Sequence, residues 1–128
     1  LQWPNDGTVA AGFGRQKHPK FDEMVYRKGI EITPTNGGEV KSVFDGTVVY
    51  ADWFRGYGMM VMIDHGESYY SLYAHLEKLL VNVGDRVNKD RTIGEVGGTG
   101  LSHGPKLYFE IRHQGLPTDP LSWLQKKR

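Results

Sequence analysis

The chain has 128 residues, with 16 lysines and arginines against 15 aspartates and glutamates, five histidines and no cysteine. This length suits a single domain with a real core, since a chain of this size buries roughly two-thirds of its unfolded surface. The net charge is +1 and the last three residues are all basic, so the basic footprint of a nucleic-acid-binding protein is absent. The lack of cysteine excludes disulfides and thiolate chemistry, but not metal sites built from histidine and carboxylates.

No apolar run approaches the about 18–20 residues that a membrane span needs, and the longest covers residues 59–63. The chain begins with Leu1 and without the charged start and apolar stretch of a signal peptide. We therefore expect one domain over residues 1–128, excised from the C-terminal part of a longer protein. Its N-terminal strand and loop fill residues 1–26, and its core fills residues 27–124.

Short apolar segments separated by some of the 17 glycines predict an all-β, mostly antiparallel fold with short helical turns only. The helical turns are expected at residues 76–81 and 120–126, the second with Asp119 as N-cap and Pro120 in the first position. Segments rich in valine, isoleucine, tyrosine and phenylalanine, which favour strands, lie at residues 40–44, 47–51, 59–63, 69–75, 91–96 and 107–112.

Turn residues predict two hairpins. Asp45-Gly46 is a two-residue turn signal between residues 40–44 and 47–51. Residues 65–68 separate the next two strand segments in the same way. Residues 13–26 contain few apolar side chains and are predicted to form a loop, which has the position to gate a groove.

Four motifs follow one another along the chain: Arg27-Lys28-Gly29-Ile30-Glu31-Ile32, then residues 45–51, then residues 71–76, then residues 97–100 leading to 106–112. With residues 83–87 they span most of residues 25–124. In these motifs the sequence resembles the LytM-type, or lysostaphin-like, zinc endopeptidases of peptidase family M23, which cut peptidoglycan. The resemblance implies an antiparallel sheet that carries a groove.

Active members of that family hold zinc with a His-x-x-x-Asp pair and with the second histidine of a His-x-His pair. The first histidine of that pair and another in a Tyr-x-His-Leu segment act on water and substrate. In this sequence only His75 matches such a position. The three ligand positions hold Arg27, Glu31 and Tyr108, and Lys106 stands at the first histidine of the His-x-His pair.

These substitutions argue against a metal site. Arg27 cannot lose its proton, Lys106 adds a second cation, and Tyr108 is a weak ligand with an ordinary pKa near 10. The loss of two of three ligands removes nearly all of the roughly 10 kcal/mol or more that such sites provide. We predict a pseudoenzyme without zinc or another cofactor. A relocated zinc site built from Glu31, His75 and His103 remains the rival hypothesis.

The remaining histidines are interpreted as solvated or locally hydrogen-bonded side chains. His65 lies in a hairpin turn, and an extended strand places it roughly 20 Å or more from His75, too far to share an ion. The other three are His18, His103 and His113.

Strand alternation places one set of side chains on a common face. Aromatic residues, arginine and methionine are enriched at the cores of protein interfaces, so this face is predicted to be a partner-binding groove. The plainer alternative is that Arg27 pairs with Glu31 and that the tyrosines are ordinary sheet residues. The predicted groove comprises Arg27, Glu31, Tyr57, Met60, Tyr73, His75, Lys106, Tyr108, Glu110 and Arg112.

Residues 51–58 and 107–112, with the missing ligands, make the chain similar to degenerate family members that activate cell-wall amidases in bacterial cell division. The resemblance implies an N-acetylmuramoyl-L-alanine amidase as partner, relief of its autoinhibition, and a periplasmic or other extracytoplasmic location at the cell envelope. It also implies division-machinery contacts through regions outside this chain. The alternatives are an active zinc endopeptidase with a rearranged site and a passive peptidoglycan-binding module. The pattern of residues 82–89 is similar to that of lipoyl and biotinyl carrier domains. Those domains carry a lysine at the tip of a symmetric hairpin, and this sequence has no lysine at such a position.

Overall fold

The computed structural model describes residues 1–17, 24–35, 38–97 and 106–124. Within these ranges the chain forms β-strands and short 3-10 structure, which includes the helix Pro120–Ser122. The predicted all-β class with short helical turns is confirmed. The strands are β1 Thr8–Ala11, β2 Gly14–Lys17, β3 Met24–Arg27, β4 Ile30–Thr33, β5 Glu39–Lys41, β6 Gly46–Phe54, β7 Gly58–Gly66, β8 Tyr69–Leu76, β9 Lys78–Leu79, β10 Arg86–Val87, β11 Thr92–Glu95, β12 Leu107–His113 and β13 Leu116–Thr118.

The main sheet has eight strands in the order β1, β4, β12, β8, β7, β6 and β10, with β13 paired to β12 beyond this path. Its pairings are antiparallel. The predicted hairpin between β7 and β8 is confirmed, and Gly66 lies opposite Tyr69. The two loop residues, Glu67 and Ser68, both have positive φ, as a tight hairpin between right-twisted strands requires. In this strand order, β12 lies inside the main sheet, between β4 and β8.

The two faces of the main sheet have different roles. One face packs on the rest of the domain and forms the core with the small sheet. The opposite face carries a smaller buried cluster of Met60, Leu72 and Ala74, against which Tyr57 and Tyr108 pack. Buried core residues of the first face include Ile30, Ile32, Val48, Val61, Ile63, Tyr73, Leu107, Phe109 and Ile111.

A second sheet contains three strands in the order β5, β11 and β9. The prediction that Asp45-Gly46 closes a hairpin is wrong, because β5 pairs with β11. Both edges of β6 are already filled, by β7 and by β10. Pairing with a distant strand buries Val40 completely and outweighs the local turn signal, so the chain passes at Asp45 from one sheet to the other.

Residues 13–26 are not a simple loop, which corrects the sequence-based prediction. Strands β2 and β3 pair with each other antiparallel, from Gly14 opposite Arg27 to Lys17 opposite Met24. The prediction relied on the small number of apolar side chains, whereas a two-stranded ribbon is held by backbone hydrogen bonds that polar residues also make. Residues 18–23 lie outside the described part, so gating of a groove by this segment stays a prediction.

The two predicted helical turns have different outcomes. The turn expected at residues 76–81 is wrong, because Lys78–Leu79 pairs as β9 with β11 and so joins the small sheet. The turn after Asp119 is confirmed, since its side chain accepts a hydrogen bond from the backbone N–H of Leu121 at 3.0 Å. No helix in the described residues has the length and apolarity that a membrane span requires.

Asn5 joins the N-terminal segment to the loop after β4. Its buried side chain accepts hydrogen bonds from the N–H groups of Gly7 (2.8 Å) and Thr35 (3.0 Å) and donates to the carbonyls of Thr35 (3.1 Å) and Glu39 (2.8 Å). We expect Asn5→Ala to lower the free energy of unfolding by about 2–4 kcal/mol, because buried backbone groups lose their partners. Urea denaturation measures the change, with the exposed Asn88→Ala as control; equal midpoints for the two variants would contradict this role.

Candidate functional site

Three neighbouring strands bring most of the predicted site residues together. In β12, Tyr108 lies opposite Glu31 of β4 and opposite Ala74 of β8. Side chains alternate along a strand, so Glu110 and Arg112 lie on the same face as Tyr108. Lys106 directly precedes β12 and is half-buried. Tyr108, Glu110 and Arg112 are therefore grouped along β12 as predicted, and the place of Lys106 in the groove stays a prediction.

Arg27 and Glu31 lie beside this row because the turn between β3 and β4 approaches β12 closely. At Gly29 a Cβ atom would overlap the carbonyl oxygen of Phe109 and would lie 2.8 Å from Cγ of Glu110, so a glycine is required. Nη1 of Arg27 is 3.8 Å from Oε2 of Glu31, and both side chains are about one-third exposed. The pairing proposed as the plainer alternative is thus present as a long ion pair, whose expected contribution to stability is small.

The carboxylate of Glu110 is the centre of a hydrogen-bond network. Its side chain is completely buried. Oε2 accepts hydrogen bonds from the hydroxyls of Tyr108 (2.6 Å) and Tyr57 (3.1 Å), and Oε1 accepts one from Nε of Arg112 (2.6 Å). Nη2 of Arg112 also donates to the hydroxyl of Tyr57 at 3.4 Å. A buried carboxylate is stable only with such partners, so Glu110 fixes the positions of three groove side chains.

The phenols of this network remain protonated over the whole physiological range. Burial, followed by the hydrogen bond to Glu110 and its charge, raises the pKa of Tyr108 far above its usual value. Burial and the charge of Glu110 also raise the pKa of Tyr57. Both hydroxyls donate to Glu110, and the oxygen of Tyr57 also accepts a hydrogen bond from Arg112.

His75 reaches the groove through a bulge in β8. Leu76 lies opposite Met59 and Tyr73 lies opposite Val61, so Ala74 and His75 together face a single residue of β7. His75 has a φ of 64° and is exposed, and its ring lies 5.8 Å from that of Tyr108. A bulge interrupts the alternation of side chains.

The placement of Tyr73 in the groove is therefore wrong. Its side chain is completely buried on the core face, and its hydroxyl accepts a hydrogen bond from the N–H of Val43 at 3.1 Å. The prediction extended the alternation from His75 back to Tyr73, across the bulge. Burial raises the pKa of Tyr73 to about 12, which fits a structural role in the core.

Aromatic rings line the groove continuously. Successive ring centres are 5.7–5.9 Å apart in the pairs Tyr50–Phe54, Phe54–Tyr57 and Tyr57–Tyr108. At one end is an open cavity of about 340 Å³, the polar cavity, lined by Glu31, Gly56, Tyr57, His75 and Tyr108. At the other end is a cavity of about 300 Å³, the apolar pocket, lined by Val49, Tyr50, Phe54, Tyr57, Met60, Met62, Leu72 and Arg112.

The predicted wall of the groove, Tyr57 and Met60, lies where these two cavities meet. Tyr57 lines both cavities, and Met60 lies in the floor of the apolar pocket. The backbone carbonyl of Tyr57 accepts a hydrogen bond from the N–H of His75 at 2.9 Å, which ties the start of β7 to the bulge. The groove is thus one surface with a polar half and an apolar half.

Residues 25–120 match the sequence profile of peptidase family M23. The chain belongs to this family. The match includes every predicted site residue, from Arg27 to Arg112, and confirms the LytM-type resemblance.

Known relatives of this M23 domain include activators of murein hydrolases. The chain is 39% identical over 122 residues to the murein hydrolase activator EnvC of Escherichia coli, covering 95% of this chain and 28% of EnvC. It is 41% identical over 126 residues to the lipoprotein NlpD/LppB homologue of Pseudomonas aeruginosa, covering 98% and 40%. Lysostaphin from Staphylococcus simulans has a similar fold, with a TM-score of 0.77 and 28% identity over 95% of this chain and 51% of lysostaphin. The chain therefore spans less than half the length of EnvC and of the Pseudomonas lipoprotein.

The residues at the zinc positions of this M23 domain do not fit a zinc ion. The guanidinium of Arg27 has no lone pair to offer, and the protonated hydroxyl of Tyr108 donates a hydrogen bond to Glu110. Glu31 alone brings a ligand oxygen, whereas a zinc site of this type needs three protein ligands. Among the described residues, no three histidine, aspartate or glutamate side chains are close enough to share a metal ion.

Of the rival site, Glu31 and His75 line the same polar cavity, and His103 lies outside the described residues. His18 lies outside them too. His113 stacks on Tyr69, with ring centres 3.8 Å apart. The sequence-based interpretation is a solvated or locally hydrogen-bonded side chain, and it does not foresee this ring contact.

A different cavity, of about 270 Å³, lies on the core face beside Val43, Tyr69 and Trp123. His65 and Ser71 also line it, but these two side chains are hydrogen-bonded to each other. Nδ1 of His65 donates to the carbonyl of Asp45 (2.8 Å), and Nε2 is hydrogen-bonded to the hydroxyl oxygen of Ser71 (2.6 Å). Burial lowers the pKa of His65, which favours the neutral ring. The lining of this cavity is mostly apolar and its histidine and serine are hydrogen-bonded to each other, so the groove remains the candidate site.

Sequence reasoning missed the apolar pocket apart from Tyr57, Met60 and Arg112. Its other side chains come from β6, β7 and β8. Met62 follows Met60 by two residues along β7, so both side chains lie on the same face of the sheet. Leu72 of β8 lies opposite Met62. Alternation along β7 is therefore the signal that points to Met62 and, through its partner, to Leu72. Val49 is unpaired at a bulge in β6, and no sequence pattern marks that position.

Proposed function

We propose that this M23 domain is non-catalytic and that it binds and activates an N-acetylmuramoyl-L-alanine amidase, which cleaves the bond between N-acetylmuramic acid and L-alanine in peptidoglycan. The observation that carries the proposal is the network around Glu110. It uses Tyr108, at a zinc-ligand position of the family, as a hydrogen-bond donor within the protein. A second support is the similarity to EnvC, a murein hydrolase activator.

In this proposal the groove works by presenting a fixed surface. Tyr57, Tyr108 and Arg112 are held by Glu110 before any partner arrives, so little side-chain entropy is lost on binding. Tyrosine and arginine in such central positions are frequent hot spots of protein interfaces. The energy of binding then favours the active conformation of the amidase and relieves its autoinhibition.

The wider setting is also a proposal. An amidase activator works where peptidoglycan is, so we place the domain in the periplasm or another extracytoplasmic compartment, associated with the cell envelope. Contacts with peptidoglycan itself, and contacts of the division machinery with regions outside this chain, complete the expected partners. No zinc cofactor is required.

Reconstitution with purified sacculi tests the proposal. The domain alone is expected to release no peptide or glycan, an amidase of the source bacterium alone little, and the mixture much more. Arg112→Ala is expected to reduce the stimulation about tenfold or more, as loss of an interface hot spot does. The exposed Arg91→Ala is the matched control and should stimulate normally. Release by the domain alone, or equal stimulation by both variants, would contradict the proposal.

A further inference from the structure

The apolar pocket exposes more hydrophobic surface than the polar half of the groove. Val49 is 40% exposed and Phe54 is 46% exposed at its rim. Its floor consists of Met60, Met62 and Leu72. The volume of about 300 Å³ lies at the lower end of the range for ligand pockets, about 300–1,000 Å³. An exposed apolar concavity of this kind indicates a binding site.

Arg112 is the one charged side chain among the described residues that line this pocket. Its Nε donates a hydrogen bond to Glu110 and its Nη2 donates one to Tyr57. The side chain remains 29% exposed. The carboxylate that balances it, Glu110, is completely buried and cannot reach a partner. At the surface the pair therefore presents those N–H donors of the guanidinium that Glu110 and Tyr57 do not use.

The charges beside the pocket are largely paired. Arg112 is paired with Glu110 and Arg27 with Glu31. Asp52, on β6 opposite Met60, accepts a hydrogen bond from the N–H of Trp53 at 2.7 Å. An acidic group that reaches Arg112 is therefore held by hydrogen bonds from the guanidinium rather than by a net positive field.

We propose that the apolar pocket binds an acidic segment of the partner amidase, which inserts one large apolar side chain between Val49, Phe54 and Leu72 and places a carboxylate on Arg112. This inference rests on the proposed function and adds the chemistry of the partner's contact. Burial of the apolar side chain contributes to the affinity. The carboxylate fixes the orientation of the bound segment, since a guanidinium binds carboxylate oxygens with fixed geometry.

Substitutions at Val49 test the proposal, because this side chain lies at the rim and is not part of the Glu110 network. Val49→Asp is expected to reduce the affinity for the amidase about tenfold or more, since it removes apolar contact and repels the partner's carboxylate. Val49→Lys removes the same contact but attracts that carboxylate, so its loss should be several-fold smaller. Val83→Asp, at a valine that is 62% exposed elsewhere, is the control and should bind normally.

Affinity is measured by titrating the purified amidase with each variant, and denaturation midpoints verify that each variant is folded. Equal affinities for Val49→Asp and Val83→Asp would overturn the pocket as a contact site. Equal losses for Val49→Asp and Val49→Lys would overturn the carboxylate on Arg112. In either case stimulation by the unmodified domain would persist, whereas failure of the proposed function removes that stimulation.

Discussion

Glu110→Gln is expected to abolish most of the stimulation of the amidase while the domain stays folded. The amide has the shape of the carboxylate but no charge, and its NH₂ group faces donors at one of the two oxygen positions. Two tyrosine hydroxyls and the guanidinium of Arg112 donate to this carboxylate. Replacement of an ionised acceptor in such a cluster costs about 2–4 kcal/mol of folding stability, and the groove side chains lose their common anchor.

Two measurements separate positioning from a general loss of stability. Urea denaturation gives the change in unfolding free energy, and amidase titration at a temperature well below the midpoint gives the change in affinity. In an Arg112→Ala background the same Glu110→Gln change should have a much smaller effect on affinity, because the two residues act through one contact. The exposed Glu67→Gln is the matched control. Unchanged affinity in Glu110→Gln, or fully additive losses in the double variant, would show that Glu110 does not position the groove.

Restoring the family's ligands is expected to convert the domain into a zinc-binding protein. The positions already converge, since Tyr108 lies opposite Glu31 and Arg27 reaches Glu31 at 3.8 Å. The substitutions Arg27→His, Glu31→Asp and Tyr108→His replace one cation and one phenol by neutral imidazoles. With Lys106→His, which removes the other cation, the variant should bind one zinc ion with a dissociation constant below about a micromolar.

The natural sequence and a variant that keeps Tyr108 are the controls for this conversion. Elemental analysis after dialysis should find no bound zinc in the natural domain and little in the variant with two restored ligands. Circular dichroism establishes that the variants are folded. A folded variant with all four changes and no zinc would show that these positions do not form the vacated metal site, and zinc in the natural domain would show that the site is not vacated.

The strands were predictable from local composition, and their partners only in part. Segments rich in β-branched and aromatic residues became β6, β7, β8 and β12, because such side chains fit a pleated, half-buried surface. The hairpin through Glu67 and Ser68 was also local in origin. The turn signal at Asp45 gave a wrong hairpin prediction. The partner of β5 is β11, whose residues lie some fifty positions away in the sequence, and a local turn signal carries no information about them.

The groove shows the same division. Alternation along β12 correctly joined Tyr108, Glu110 and Arg112 on one face. It failed at Tyr73, because the bulge at His75 is a backbone feature that the residue types do not reveal. Alternation also gave the direction of Glu110 but not its burial or its three donors, which depend on the close approach at Gly29. Sequence patterns gave the direction of each side chain, while the network emerged only from packing between strands.

In the mixture of domain and amidase, the amidase is expected to do all of the bond cleavage. Mass spectrometry of the fragments released from sacculi by this mixture identifies the bonds cut. We expect stem peptides with a free L-alanine amino group and glycan chains without peptide, in amounts that rise with the domain. Fragments cut within the peptide cross-links, in amounts that rise with the domain, would contradict a non-catalytic role.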